Sequence, residues 1–264
     1  MTSTVFLGGG RITAALLAGL HLGKYRRPVV VYDRHPQKLR ELKRFYDVET
    51  ERDLHRAVEQ ARFLVIAVRP GSVADLLREI GRIDRPLAAV SLAAGIPLKN
   101  LRPTLGPKVR WARAMPSPAC RSGRGLTGLA FERRFPPAAK RAVKNFFVNV
   151  GPVLELPERK FDAFTVTYSC SHGYHALAAL ANEARKLGLD RKTALTAAAH
   201  ALADGIVAWR ESSVDLDALL DEAATPGGIA AATQNAARRA GYRRAIAAGL
   251  AAGIAQAQKN AKLG

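Results

Sequence analysis

Cysteine is almost absent. Cys120 and Cys170 are the two in 264 residues, too few and too far apart for a disulfide framework, so a reducing cytoplasm is the expected compartment. Long apolar runs are missing as well. No window approaches the ~18 apolar residues of a membrane span, and the longest small-apolar run, AIAAGLAAGIA at 245–255, is mostly Ala and Gly, a composition for close helix packing in water. No basic segment precedes the first apolar run, and Val5–Leu7 is too short for the core of a secretory signal, so no export signal is expected. Acidic residues are scarce: 22 against 41 basic ones, for a formal net charge of +19. The basic residues are scattered, as in Arg133-Arg134 and Arg243-Arg244, with no block of ~5–6 like charges. No motif interleaves basic and aromatic residues for nucleic acid. The charge is therefore read as a field that attracts an anionic cofactor or substrate, and neither a nucleic-acid nor a membrane partner is expected. Cys170, His172 and His175 form a C-x-H-x-x-H run that lacks a second cluster to complete a tetrahedral set, so no metal is expected.

What the chain does contain is alternation. It is 48% hydrophobic and 24% charged, enough to bury a sizeable core. Short continuous apolar runs (Val5–Leu7, Pro28–Asp33, Phe63–Val68 and LAAVSLA) alternate with helical stretches such as Arg11–Leu22 and Pro36–Tyr46. Strands that are apolar throughout call for a parallel sheet covered on both faces. KVRWARAM and PVLEL read as further strands. After Pro157 the texture changes to Ala-rich helical sequence, broken at Gly188, ESSVD and TPGG. The expected fold class is α/β, a Rossmann-like doubly wound sheet over residues 1–156, followed by an all-α domain over 157–264.

The run Gly8-Gly9-Gly10-Arg11-Ile12-Thr13 leaves the first strand and opens the first helix. It fits G-x-G-x-x-(G/A), with Thr13 at the third small position. Gly8 permits the tight turn. Gly10, lacking a Cβ, lets a pyrophosphate approach the helix N-terminus, whose N–H groups and dipole favour negative charge. Asp33 ends the second strand at the spacing this motif requires, which makes the loop a candidate dinucleotide cradle. The choice of dinucleotide stays open: Asp33 suits the ribose hydroxyls of NAD, whereas Arg34 and Arg11 suit the 2′-phosphate of NADP, with NADP slightly favoured.

These motifs resemble the pyrroline-5-carboxylate reductase family over essentially the whole chain. FLGGGRITAALLAGL is similar to the family's GGGNMA loop and helix, LVIAVRP to its LAVKP, VSLAAGIPLKNL to ISIAAGVPLxxL and RAMPSPA to RVMPNTPA. FDAFTVTYSCSHGY resembles MDAVTALSGSGPAY, and DEAATPGGIAAAT resembles DxVTSPGGTTIAAL. The resemblance implies a helical dimerisation domain, a homodimer, and hydride transfer from NADPH or NADH to the C=N of a small cyclic imine acid, giving proline. It implies cofactor contacts at Gly8, Gly10, Arg11, Ile12, Asp33 and Arg34, at Ala67, Val68, Arg69 and Pro70, at Ala93, and at Met115, Pro116 and Ser117. Substrate contacts are implied at Ser171 and at Pro226, Gly227 and Gly228, where TPGG opens a helix with Thr225 as its expected cap and glycine N–H groups for the substrate carboxylate.

The substrate half departs from the family pattern. Ala230 stands where the family carries the threonine thought to hydrogen-bond the substrate nitrogen, and in a motif one residue shorter than MPNT the asparagine is missing or replaced by Ser117. His172, Tyr174 and Thr225 are the expected replacement proton donors. A dinucleotide-binding sensor without the reaction, or a reductase of another imine or carbonyl compound, is the alternative reading.

Overall fold

The computed structural model describes residues 3–263. They fall into two compact units, residues 3–168 with 252–263, and residues 169–251.

The first unit holds one sheet of eight strands: β1 (Ser3–Leu7), β2 (Val29–Tyr32), β3 (Glu49–Glu51), β4 (Ala61–Ile66), β5 (Leu87–Ser91), β6 (Val109–Met115), β7 (Thr127–Phe131) and β8 (Val153–Glu155). Their spatial order is 3-2-1-4-5-6-7-8. All neighbours run parallel except β6 and β7. Its helices are α1 (Arg11–Leu22), α2 (Pro36–Phe45), α3 (Leu54–Gln60), α4 (Val73–Ile80), α5 (Leu98–Leu101), α6 (Pro137–Val148) and α7 (Phe161–Thr167).

Successive side chains of a strand point to opposite faces, and both faces are packed. Val5, Leu7, Leu64 and Ile66 enter one apolar cluster with α3 and α4. Phe6, Val31, Val65 and Val90 enter the other, with α1 and α6. That double burial is why β1, β2 and β4 read as continuous apolar runs. The doubly wound α/β expectation holds. Two strands carry no such signal. β3 is the polar edge segment Glu-Thr-Glu. β7 contains Gly128, which is required because a Cβ there would collide with the Phe164 ring. The strand order reverses between β1 and β4, which makes the carboxyl ends of these two strands the switch point of the sheet.

The second unit contains α8 (Cys170–Lys186), α9 (Arg191–Glu211), α10 (Leu216–Glu222), α11 (Ile229–Arg239) and the beginning of α12 (Tyr242–Asn260). Asp190 caps α9 by accepting the N–H groups of Lys192 and Thr193 at 2.9 and 3.1 Å, and Asp215 caps α10. α8 packs on α9 around Ala181, Ala194 and Ala198. The last turns of α12 belong to the first unit. There Asn260 Nδ2 donates to the Ala94 carbonyl at 3.0 Å, and Gly253 lies so close to Val166 that a Cβ would stand 2.8 Å from its Cγ1. No described helix is long and apolar enough to cross a membrane.

Candidate functional site

The glycine loop sits at the switch point. Gly8 has φ +114°, and a Cβ on it would stand 2.7 Å from the Ala67 carbonyl oxygen at the end of β4. Both facts demand glycine. The buried Thr13 hydroxyl donates to the Gly8 carbonyl at 2.5 Å and ties α1 back onto the loop. Gly10 is different. Its φ is an ordinary −82°, and no protein atom lies within 4 Å of the place where its Cβ would be. Nothing inside the protein therefore requires glycine there; the opening suits an approaching ligand. Gly10 is also the N-cap of α1, with no side chain capping the first turn and no acid within it. The first N–H groups of the helix, with the positive end of its dipole, remain available to an anion.

Asp33 closes the loop from the other side. Its Oδ2 accepts the Gly9 N–H at 2.8 Å and lies 3.3 Å from Lys38 Nζ, while its Oδ1 accepts the His35 N–H at 2.9 Å and lies 2.9 Å from His35 Nδ1. Burial by itself raises the pKa of this carboxyl. The His35 and Gly9 N–H bonds, the His35 ring and the Lys38 charge outweigh it and hold the group below the usual carboxylate range. Both oxygens are thus engaged by the protein, and Asp33 acts as the latch of the glycine loop. The Arg34 guanidinium, at the rim, pairs with Glu79 of α4.

A cleft of about 290 Å³ opens at this edge of the sheet. Its walls bring together Gly8 and Gly10 from the first loop, Asp33 and Arg34 from the end of β2, and Ala67, Val68 and Arg69 from the end of β4. His35, Lys38 and Ser72 also line it and were not foreseen. The signal for the first two was present in the sequence: Asp-Arg-His-Pro-Gln-Lys places basic groups around the turn into α2. Arg11 and Ile12 are the first residues of α1, and Pro70 opens the 3₁₀ turn Pro70–Ser72. Ala93 lies just past β5, its N–H donated to Ser91 Oγ at 3.2 Å. Met115 ends β6, and the buried Pro116 and Ser117 follow it. Ser117 Oγ lies 3.2 Å from the hydroxyl of Tyr168, a residue the sequence did not single out.

The remaining candidates belong to the helical unit and are not among the walls of this cleft. Ser171, His172 and Tyr174 are exposed on the first turns of α8. TPGG departs from the expected cap. Thr225–Gly228 forms a turn closed by the Gly228 N–H donating to the Thr225 carbonyl at 2.9 Å, with Gly227 at φ +80°. Pro then Gly with positive φ at the centre is the type II pattern, which holds Thr225 outside the helix. α11 begins at Ile229 with Gly228 as N-cap and no side-chain cap. The Gly228 N–H is therefore spent on the turn, and Thr225 caps nothing.

Comparison with known proteins agrees with this geometry. Residues 158–260 match the family model described as pyrroline-5-carboxylate reductase dimerisation. Residues 3–95 match the one described as NADP oxidoreductase coenzyme F420-dependent. The chain is 31% identical to pyrroline-5-carboxylate reductase of Mycobacterium tuberculosis, with 98% of this chain and 97% of that one covered. It is 34% identical to the Thermus thermophilus protein of the same name, covering 84% and 85%. Among solved structures, pyrroline carboxylate reductase of Plasmodium falciparum with NADP bound superposes with a TM-score of 0.88 at 18% identity, covering 98% of both chains. By its identity and coverage to these relatives, the chain belongs to the pyrroline-5-carboxylate reductase family.

Proposed function

We propose that this protein reduces the C=N bond of 1-pyrroline-5-carboxylate to give proline, with NADPH as the reductant. The observation that carries the reading is the Gly10 opening: an uncapped helix start with room for a ligand group, at the switch point of the sheet, in a member of this family. Gly8, Gly10, Arg11 and Ile12 would hold the pyrophosphate on backbone N–H groups. With both Asp33 oxygens engaged internally, that residue is a poor partner for ribose hydroxyls, while Arg34 and Lys38 offer cations to a 2′-phosphate and the His35 ring lines the cleft beside them. This supports NADP over NAD. Ala67–Pro70, Ala93 and Met115–Ser117 lie at the carboxyl ends of β4, β5 and β6, where the nicotinamide half of the dinucleotide would run. When bound, the reduced dinucleotide supplies the hydride.

The helical residues, roughly 157–264, would form the homodimer and contribute the substrate contacts Ser171 and Pro226–Gly228, with His172, Tyr174 and Thr225 as sources of the proton. In this reading the protein works in a reducing cytoplasm, for which its scarce cysteine is suited, and its excess positive charge would serve anionic ligands rather than nucleic acid. Loss of absorbance at 340 nm on mixing NADPH, 1-pyrroline-5-carboxylate and the protein tests the reading. A second reading rests on Ala230, where the family has threonine: a dinucleotide-binding protein without the reaction would bind NADPH with the expected affinity and leave the absorbance unchanged.

A further inference from the structure

Ser117 is the first polar side chain beyond β6, and it is only 3% exposed. Its oxygen accepts two hydrogen bonds, from the Ala119 N–H at 3.2 Å and from the Tyr168 hydroxyl at 3.2 Å. A serine hydroxyl that accepts twice still has its own proton to donate. Among the described hydrogen bonds, that proton has no acceptor.

The pair is held from behind. Tyr168 ends α7, its N–H donates to the Phe164 carbonyl at 2.8 Å, and its ring lies on the Phe164 ring with centroids 5.3 Å apart. Phe164 in turn occupies the space that Gly128 leaves open on β7. A missing side chain on one strand thus seats a phenyl ring, which seats a tyrosine, which aims at a serine at the end of another strand. A donor fixed in this way loses little entropy when a ligand arrives.

Its position is the telling one. In a sheet of this order the adenosine half of a dinucleotide lies toward the end of β2, so the reacting half points toward β5 and β6. Ser117 follows β6 directly. Against the family motifs, Ser117 is the one residue standing where the pattern has asparagine and threonine, and Tyr168 stands in place of serine, in the same chain that has lost the threonine hydroxyl at Ala230. In this chain the two hydroxyls form a hydrogen-bonded pair.

We infer that Ser117 donates a hydrogen bond to the ring nitrogen of the cyclic imine acid, in place of the hydroxyl missing at Ala230, and that Tyr168 is the positioning residue that orients it. The inference rests on the reductase reading above, and its test separates the two. The NADP⁺-saturated protein is titrated calorimetrically with two five-membered-ring carboxylates. One is the cyclic ether acid, whose oxygen replaces the ring nitrogen as an acceptor; the other is its carbocyclic counterpart, which accepts nothing at that position. Wild type should bind the ether acid roughly tenfold more tightly, the worth of one good hydrogen bond. Tyr168→Phe keeps the ring stack and the Ser117 cap, and should lose most of that preference. Ser117→Ala should abolish it, while Ser117→Thr, which retains hydroxyl and cap, should restore it. Thermal melts confirm that each variant is folded. A wild type without preference overturns the inference whatever its activity, and so does a preference that survives in both Tyr168→Phe and Ser117→Ala. A preference lost in those variants, in a protein that does not oxidise NADPH with 1-pyrroline-5-carboxylate, upholds the donor and overturns the reductase reading. Failure to bind either acid overturns both.

Discussion

Leu7, Leu64 and Ile66 at the centre of the sheet are wholly sequestered, whereas Trp209, Leu220 and Ile229 in the helical unit are 42%, 48% and 88% exposed. Between Ser169 and Ala251 the buried residues are Ala181, Ala194 and Ala198, and none is larger than alanine. Burying a leucine- or valine-sized side chain contributes about 1.5–3 kcal/mol. The sheet unit collects that gain many times within one chain, on two faces. The helical unit leaves most of it uncollected. Apolar area of that extent on a set of helices calls for a partner surface, and the family model matched over residues 158–260 is one of dimerisation. The contrast teaches that the first unit carries the determinants of its own fold, while the second leaves apolar surface that the proposed homodimer would cover.

The largest effect expected from breaking this contrast lies in the sheet unit. Gly10→Val places its side chain in open space and should leave the melting temperature within about two degrees of wild type, while weakening NADPH binding by about 100-fold or more, as read by nicotinamide fluorescence. Unchanged affinity would remove the cradle. Gly8→Ala offers the converse. Its φ of +114° and the nearby Ala67 carbonyl should reduce stability by about 1–3 kcal/mol before any ligand is added.

A charge on the exposed helices should act on the other side. Ile206→Glu combined with Trp209→Glu should yield monomers at micromolar concentration by light scattering, with NADPH affinity preserved in the sheet unit. A dimer that persists would place the contact on another face of these helices.

A smaller effect is expected at the rim of the cleft. Arg34→Ala and Lys38→Ala should each weaken NADPH binding by about tenfold and leave NADH binding unchanged, the loss of one charge-assisted hydrogen bond to a phosphate. Equal losses for both dinucleotides would mean that these side chains do not read the 2′-phosphate.

The two glycines of AGLAAGIA then separate interior from interface. Gly253→Ala drives a methyl into Val166 and should cost about 1–3 kcal/mol by chemical denaturation. Gly249 has nothing within 4 Å of its Cβ position, so Gly249→Ala should stabilise an isolated helix by roughly 0.5–1 kcal/mol. A destabilised dimer instead would put Gly249 at the seam between copies.

The smallest effect is one of pH. The Asp33 pKa is depressed in the folded protein, so its bonds to Gly9 and His35 contribute stability that is fully present above the unfolded value of about 4 and is lost as pH falls through the folded value. Asp33→Asn should therefore lower the melting temperature at pH 7 and converge on wild type in strong acid. Parallel curves across that range would show that the carboxylate charge is immaterial to the latch.

Much of this protein was legible as a linear pattern. β1, β2, β4 and β5 announced themselves because strands buried on both faces must be apolar at every position, and α1 matched its expected span of Arg11–Leu22 to the residue. The glycine loop was legible for a similar reason. Tight turns and open helix starts constrain backbone conformation, which a single residue type can satisfy. The sequence also showed that the chain after Pro157 is Ala-rich and helical. Tertiary structure decided the matters that depend on which distant groups meet. β7 forms because β6 accepts an antiparallel neighbour, and it tolerates Gly128 because Phe164 needs the space. Asp33, read from spacing as a ribose ligand, is drawn into the Gly9 and His35 N–H groups, since a carboxylate buried at a loop takes the donors nearest to it. Ser117 and Tyr168 are 51 positions apart and share no local signal. Their hydroxyls meet because the register of the sheet brings the end of β6 beneath α7, and register is a property of paired segments that no single segment encodes.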